Sequence, residues 1–189
     1  PTGASRSVAS SVRMTALTAF NQNCGLLHEL RADELAWDLM EITAHSGARP
    51  EHARWQGKIV SRTGQKGYLS LRDIGYGEPT GFKGINCRHD WHPYYKGSSR
   101  TYSSAQLKDW KKEKVEYNGQ KMSVYDATQK QRAFERQIRQ DKKDLKAQQA
   151  MLTSNNKDID IEQGKNEIRN IKATQKDHNA QLNDFLKQT

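Results

Sequence analysis

The sequence predicts an α+β protein: a small loop-rich central domain carrying an amino-terminal helix and a carboxy-terminal helical hairpin or coiled-coil arm. Three observations predict it. Residues 45–100 hold nine of the 13 glycines and four of the six histidines, a composition of turns rather than long elements. Residues 123–189 contain one glycine and no proline, and their apolar residues recur at heptad spacing. Before residue 33 the apolar pattern is helical. The predicted organisation is a helical segment at 1–33, the loop-rich domain at 34–122 and the arm at 123–189.

Residues 1–7 are small and polar and read as a frayed terminus. From Val8 to Ala32 a helix follows, with Val12, Ala16, Ala19, Leu26, Leu27 and Leu30 apolar and with Asn23 and Gly25 predicting a break or bend. Between residues 34 and 44, Trp37, Leu39, Glu41 and Thr43 alternate with Asp38, Met40 and Ile42, so the second half reads as a strand. Turn signals stand at 47–50, 63–67 and 75–81, and only Lys58–Ser61 and Tyr68–Leu71 read as extended. Ser103 or Ser104 caps a short basic helix around Trp110. The Asn118-Gly119 pair predicts a tight turn joining Val115–Tyr117 to Met122–Val124.

In the arm, one seam runs through Ala127, Gln131, Phe134, Ile138, Asp141, Leu145, Gln148 and Leu152. A second runs through Ile161, Gly164, Ile168, Ile171, Gln175, His178, Leu182 and Phe185. Residues 153–158 break the pattern, and Ser154 or Asn156 is the expected cap of the second helix. Each seam is interrupted by polar residues: Gln131, Asp141 and Gln148 in the first, Gln175 and His178 in the second. Such a hairpin is marginal alone and reads as a docking arm, ordered by a partner or by self-association.

Composition bounds the function. Thirty-one Lys and Arg against 22 Asp and Glu give a net charge of +9, which favours polyanions and nucleic acid first. Hydrophobic residues make up 34% and the mean hydropathy is −1.01, enough for one modest core. Two cysteines, Cys24 and Cys87, do not make a disulfide scaffold and read as free thiols or ligands in a reducing compartment. No apolar run approaches the roughly 20 residues of a membrane span, so a soluble protein made in a cytoplasm is expected. A first residue of Pro1 reads as a fragment or a processed product.

The loop-rich stretch needs more than apolar burial: packed aromatics (Trp55, Tyr76, Phe82, Trp91, Tyr94, Tyr95), a metal, or a polar network. His45, His52, Cys87 and His89, with His92 as alternate, are candidate ligands, and their Cys/His chemistry points to zinc. The spacing is not that of a standard zinc finger or ribbon. Three other readings stand beside it. The same residues can form a hydrogen-bonded loop core in which Cys87 is a buried thiol. A metal-dependent nuclease or toxin-like domain would use His52, Cys87, His89 and His92. A cysteine nucleophile would use Cys87, activated by Arg88 and a histidine base. Gly75, Gly77, Gly81 and Gly84 lack the lysine and hydroxyl residue that a phosphate-binding loop requires.

For nucleic acid the candidates are Arg88, Lys96 and Arg100 among Trp91, Tyr94 and Tyr95, and Arg132, Arg136 and Arg139 on one helical stripe. The stripe lies in a basic run that also holds Lys130, Lys142, Lys143 and Lys146, and it can equally be a solvated face paired with Glu135, Asp141 and Asp144. Contacts of this kind read phosphate, not sequence.

Residues 45–58, 70–77 and 84–94 resemble the signature of the phage minor capsid protein 2 family, and 127–139 is similar to its following segment. A weaker kinship links the chain to the Mu F-like head-morphogenesis proteins, which share a histidine motif followed by an Asn-Cys-Arg motif. The resemblance covers residues 8–147. Arg49, Trp55, Gln56, Gly57 and Asn86, together with His45, His52, Cys87, Arg88 and His89, match the motif positions. It implies a longer, low-copy virion protein whose amino-terminal part would precede Pro1, assembled in the host cytoplasm with portal and capsid proteins near double-stranded DNA. No catalytic residue carries over, so no enzyme activity is expected.

Overall fold

The computed structural model describes residues 7–154 and 160–189. The chain divides after Lys112 into two compact units. The expected frayed residues 1–6 and the Asn156 cap lie outside the described residues.

The first unit opens with helix α1, Val8–Glu34, capped by the Ser7 hydroxyl oxygen, which accepts from Ser10 N–H. The helix is continuous. The bend expected at Asn23 and Gly25 is absent, because Gly25 serves a close approach instead: a Cβ there would lie 2.9 Å from Lys83 Cε. The apolar residues of α1 do not face a core. Val12, Phe20, Leu27 and Leu30 are exposed, while Gly25 and Ala32 on the opposite side are buried.

Four short strands follow: β1 (Leu39–Ile42), β2 (Ile59–Ser61), β3 (Leu69–Ser70) and β4 (Trp91–Pro93). Their order in the sheet is β3-β2-β1-β4, with β1 antiparallel to β2 and β4, and β2 parallel to β3. Met40 and Ile42 point to one face and meet Trp55, Val60, Ile74, Phe82 and Trp91 in a buried cluster. A four-residue helix, α2 (Pro50–Ala53), begins with proline at its first position, where the missing N–H costs nothing. Between β3 and β4 the chain runs through consecutive turns, held by Phe82 N–H on Ile74 O and Gly77 N–H on Phe82 O. Here glycine is obligatory: a Cβ on Gly81 would sit 1.9 Å from Gly75 O, and one on Gly84 2.1 Å from Glu78 O. Ser103 caps helix α3, Ser104–Lys112, through Gln106 N–H.

On the other side of β1, Glu41 is fully buried. Its carboxylate accepts from Thr101 N–H at 3.0 Å and Tyr102 N–H at 3.5 Å, and pairs with Arg100 Nε at 3.5 Å.

The second unit opens with the hairpin of β5 (Lys114–Tyr117) and β6 (Gln120–Ser123), in which Val115 pairs with Met122. Asn118 and Gly119 have φ of 51° and 75°, the left-handed pair that a two-residue turn requires. The hairpin therefore belongs with the arm, although the sequence groups residues up to 122 with the central domain. Ser123 caps helix α4, Val124–Thr153. The cap of helix α5, Ile161–Gln188, is Asp160, which accepts from Glu162 and Gln163 N–H. Ser154, the expected cap, instead ends α4.

The two helices pair antiparallel, with Leu152 against Gly164, Asp141 against His178 and Phe134 against Phe185. Every expected seam position is buried or half-buried except Ile161, which is exposed. Phe185 closes the open end of the hairpin against Tyr117 at 4.9 Å. His178 Nδ1 and Asp141 Oδ2 lie 2.7 Å apart in mid-seam.

Burial opposes ionisation of Glu41, but the Thr101 and Tyr102 hydrogen bonds and the Arg100 charge outweigh it and hold the carboxyl below its usual 4.5. A lowered folded value means stability that is present above 4.5 and is lost as pH falls through the lower folded value. Thermal melts stepped downward from about pH 5 should therefore show a steeper loss for the wild type than for Glu41→Gln. At neutral pH the Gln variant should be less stable by roughly 1–3 kcal/mol. Parallel acid profiles for the two proteins would refute this role.

Candidate metal centre

The site is assembled from two segments that the sheet brings together. The first follows β1: His45 precedes α2, His52 sits on it, and Trp55 and Gln56 come just after it. The second is the loop 83–90 that enters β4 and carries Cys87 and His89. Lys83 and Asp90 close that loop. Lys83 is 2% exposed, and its ammonium donates to Asp90 Oδ1 at 2.7 Å and Asn21 Oδ1 at 3.0 Å. Helix α1 binds the same loop through Gln22 Nε2 on Lys83 O (3.1 Å), Asn21 Nδ2 on Cys87 O (2.9 Å) and Thr18 Oγ1, which accepts from Asn86 N–H (3.3 Å). A polar face of α1 thus docks on the loop, which explains why its apolar face is left outside.

Inside this frame three donor atoms converge. His52 Nδ1 lies 3.3 Å from His89 Nδ1, Cys87 Sγ lies 3.7 Å from His89 Nδ1, and all three fall within 4.8 Å of one another. The side chains belong to residues 2%, 1% and 6% exposed for His52, His89 and Cys87. Trp55 forms one wall, its ring 4.5 Å from that of His52 and 4.9 Å from that of His89. The far nitrogens are tied off: His52 Nε2 meets Thr80 O at 2.8 Å and His89 Nε2 meets Gln56 Oε1 at 3.2 Å. His45 stacks on His89 at 4.7 Å.

Burial first, then the neighbouring His45, His52, Arg49 and Lys83, push His89 down to about 3. Burial also lowers His52, against the hydrogen bond to Thr80 O. Both rings are therefore neutral near pH 7, the form that ligates metal. Burial pushes the Cys87 thiol up, which is the opposite of what an activated nucleophile needs. All three side chains are enclosed.

The other expected residues fall as follows. His92 lies apart, with Nε2 on Thr101 Oγ1 and beside Glu41. Arg49 reaches Ile85 O, and Gly57 and Asn86 take left-handed φ of 64° and 56°. Arg88 and Lys96 are exposed. Arg100 is engaged inside the fold, donating to Gly57 O and pairing with Glu41. Arg136 and Arg139 are exposed and Arg132 half-buried on α4, with Arg139 3.7 Å from Glu135. Sequence reasoning missed Lys83, Asp90, Asn21, Gln22 and the Thr80 carbonyl. A lone lysine in a glycine-rich stretch carries no sign that it is buried.

The profile of the family described as phage minor capsid protein 2 matches residues 1–182. The chain belongs to that family. The match extends beyond residues 8–147 into most of the arm. Relatives named structural protein are 35% identical over 105 residues in Lactococcus phage LL-H and 35% identical over 72 residues in Lactococcus phage mv4. The first match covers 52% of this chain and 25% of the relative, the second 38% and 50%. The chain thus spans a quarter to a half of the relatives it matches. No solved structure matches it.

Replacing Lys83 with Met strands Asp90, Asn21 and the loop they hold. Stability should fall by about 2–3 kcal/mol, below the range for a fully buried pair because Asp90 is partly exposed. Hydrogen exchange should then accelerate at α1 amides 18–28 and stay unchanged in the arm; uniform exchange rates would rule out the clasp.

Proposed function

We propose that this minor capsid family member is a structural, non-catalytic component of the phage head. It is built in at the portal or procapsid in the host cytoplasm and carried in the virion, with sequence-independent affinity for double-stranded DNA. The observation that carries the assembly reading is the outer face of α1. Val12, Phe20, Leu27 and Leu30 share one side of the helix, with Phe20 69% and Leu27 65% exposed. An apolar stripe of this kind marks a protein interface rather than solvated surface. Portal and capsid proteins are the proposed partners. Self-association of α4 and α5 as a coiled coil is proposed for the partly polar seam, whose Ile161 is exposed, as are Met151 and Leu186.

The DNA reading rests on α4. Arg132, Arg136, Arg139, Lys143 and Lys146 fall on the side of the helix opposite the seam residues Phe134, Ile138 and Asp141. They make a cationic stripe roughly 20 Å long facing away from α5. Arg88 and Lys96 add exposed charge on the first unit, whereas Arg100 is held by Glu41.

A Phe20→Glu, Leu27→Glu variant alters exposed positions only, so it should fold normally and yet be missing from purified virions by mass spectrometry, where the wild type is found in low copy. A wild type missing from virions removes the assembly reading; a variant incorporated normally removes the α1 interface. Duplex DNA binding should weaken linearly on a log–log salt plot. The Arg132, Arg136, Arg139→Gln variant should lower that slope by about 0.9 for each phosphate it no longer neutralises. Affinity indifferent to salt would end the phosphate reading.

A further inference from the structure

We infer that His52, Cys87 and His89 bind a zinc ion that locks the two loops together, with His45 as its fourth ligand. The assembly reading does not require this site, and the two can fail separately.

The far nitrogens of the rings fix where the protons lie. A carbonyl oxygen only accepts, so His52 Nε2, 2.8 Å from Thr80 O, carries the ring's hydrogen. The amide oxygen of Gln56 is fixed as an oxygen because it accepts His45 N–H at 3.1 Å, so His89 Nε2 carries the hydrogen there. Both Nδ1 atoms are then bare lone pairs, and they face each other at 3.3 Å with no hydrogen to share. The Cys87 S–H can serve one of them, His89, at 3.7 Å, and leaves the other unsatisfied. Buried acceptors left this way are costly, and a cation among them removes the cost.

The distances suit that cation. An ion 2.0–2.1 Å from nitrogen and 2.3 Å from sulfur in a tetrahedron separates two nitrogens by about 3.3 Å and nitrogen from sulfur by about 3.6 Å. The observed separations are 3.3 and 3.7 Å. Carbonyl and amide groups that fix the tautomers are the outer shell metal-bound histidines use. Thiolate with imidazoles selects zinc over calcium or magnesium.

A structural site needs a fourth ligand. His45 Nδ1 is 2.8 Å from Ser46 O and carries the hydrogen, which leaves Nε2 bare. That Nε2 is buried and has no hydrogen-bond partner among the described residues. It lies outside the three-atom cluster, on a ring stacked against His89, and as fourth ligand its ring would turn away from Ser46 O toward the other three donors. The adjacent Lys83 ammonium is offset by Asp90, so the ion does not meet an unbalanced charge.

The test uses the full chain. Elemental analysis of protein purified without chelator should find about one zinc per chain. Protein stripped with a chelator should melt at lower temperature and recover with one equivalent of Zn²⁺. Titration with Co²⁺ should give intense tetrahedral visible bands and a sulfur-to-cobalt charge-transfer band. Cys87→Ser should lose the charge-transfer band. Gln56→Leu, which touches no metal but frees the His89 tautomer, should weaken zinc about 10–100-fold with the circular dichroism spectrum retained. A stripped protein that takes up neither Zn²⁺ nor Co²⁺, or a Cys87→Ser protein that keeps the charge-transfer band, overturns the proposal.

Discussion

A lysine that is 2% exposed must find its counter-charge inside the protein or stay neutral. Lys83 finds Asp90, seven residues on, and the pair closes the loop that carries Cys87 and His89. Much of the first unit follows from that closure. The loop is short enough to present two donor atoms to His52. Its carbonyls at 83 and 87 are aimed at α1, which supplies Gln22 and Asn21 to meet them. Gly25 is small because the lysine stem passes against it. Asp90 then leads into β4, whose register with β1 sets Trp91 opposite Ile42 and His92 opposite Glu41. Burial opposes the charge on Asp90, and the bonds from Lys83 and from Trp91 N–H hold its carboxyl below the usual 3.8 nonetheless.

That arrangement reverses the ordinary logic of an amphipathic helix. A helix on a small domain usually buries its apolar stripe. Here α1 is bound by hydrogen bonds along its polar side, and the apolar side is left for something else. On α1 the polar residues make the internal contacts and the large apolar ones are exposed. The arm follows the same division. Its seam is partly polar, Asp141 and His178 meet in the middle, and the aromatic cluster of Tyr117, Phe134 and Phe185 closes one end.

Legibility differed sharply between the two units. The heptad pattern located the seam of α4 and α5 nearly residue by residue, because helix pairing is a local, periodic property. The Asn-Gly turn and the Ser103 cap of α3 were equally readable, since both rest on one or two residues. In the first unit the strand at 39–42 was visible as alternation and those at 59–61 and 69–70 as extended stretches, but α2 and β4 were not visible, being too short to show a period. Among the candidate ligands, His52, Cys87 and His89 converge and His92 does not; sequence proximity grouped His89 with His92, and the strand geometry of β4 separated them. The role of Lys83 was invisible, since lysine is an ordinary surface residue until a fold encloses it.

The sequence by itself determined the α+β class, the helical arm with its seam, the cationic stripe of α4 and the family, because each is written in local composition, periodicity or linear motif. Tertiary structure alone decided which face of α1 is buried, which residues surround the histidines, and that Arg100 works inside the fold. Those outcomes depend on pairing groups 30 to 70 residues apart in the chain, and the desolvation of a charge or an imidazole exists only once those partners have met.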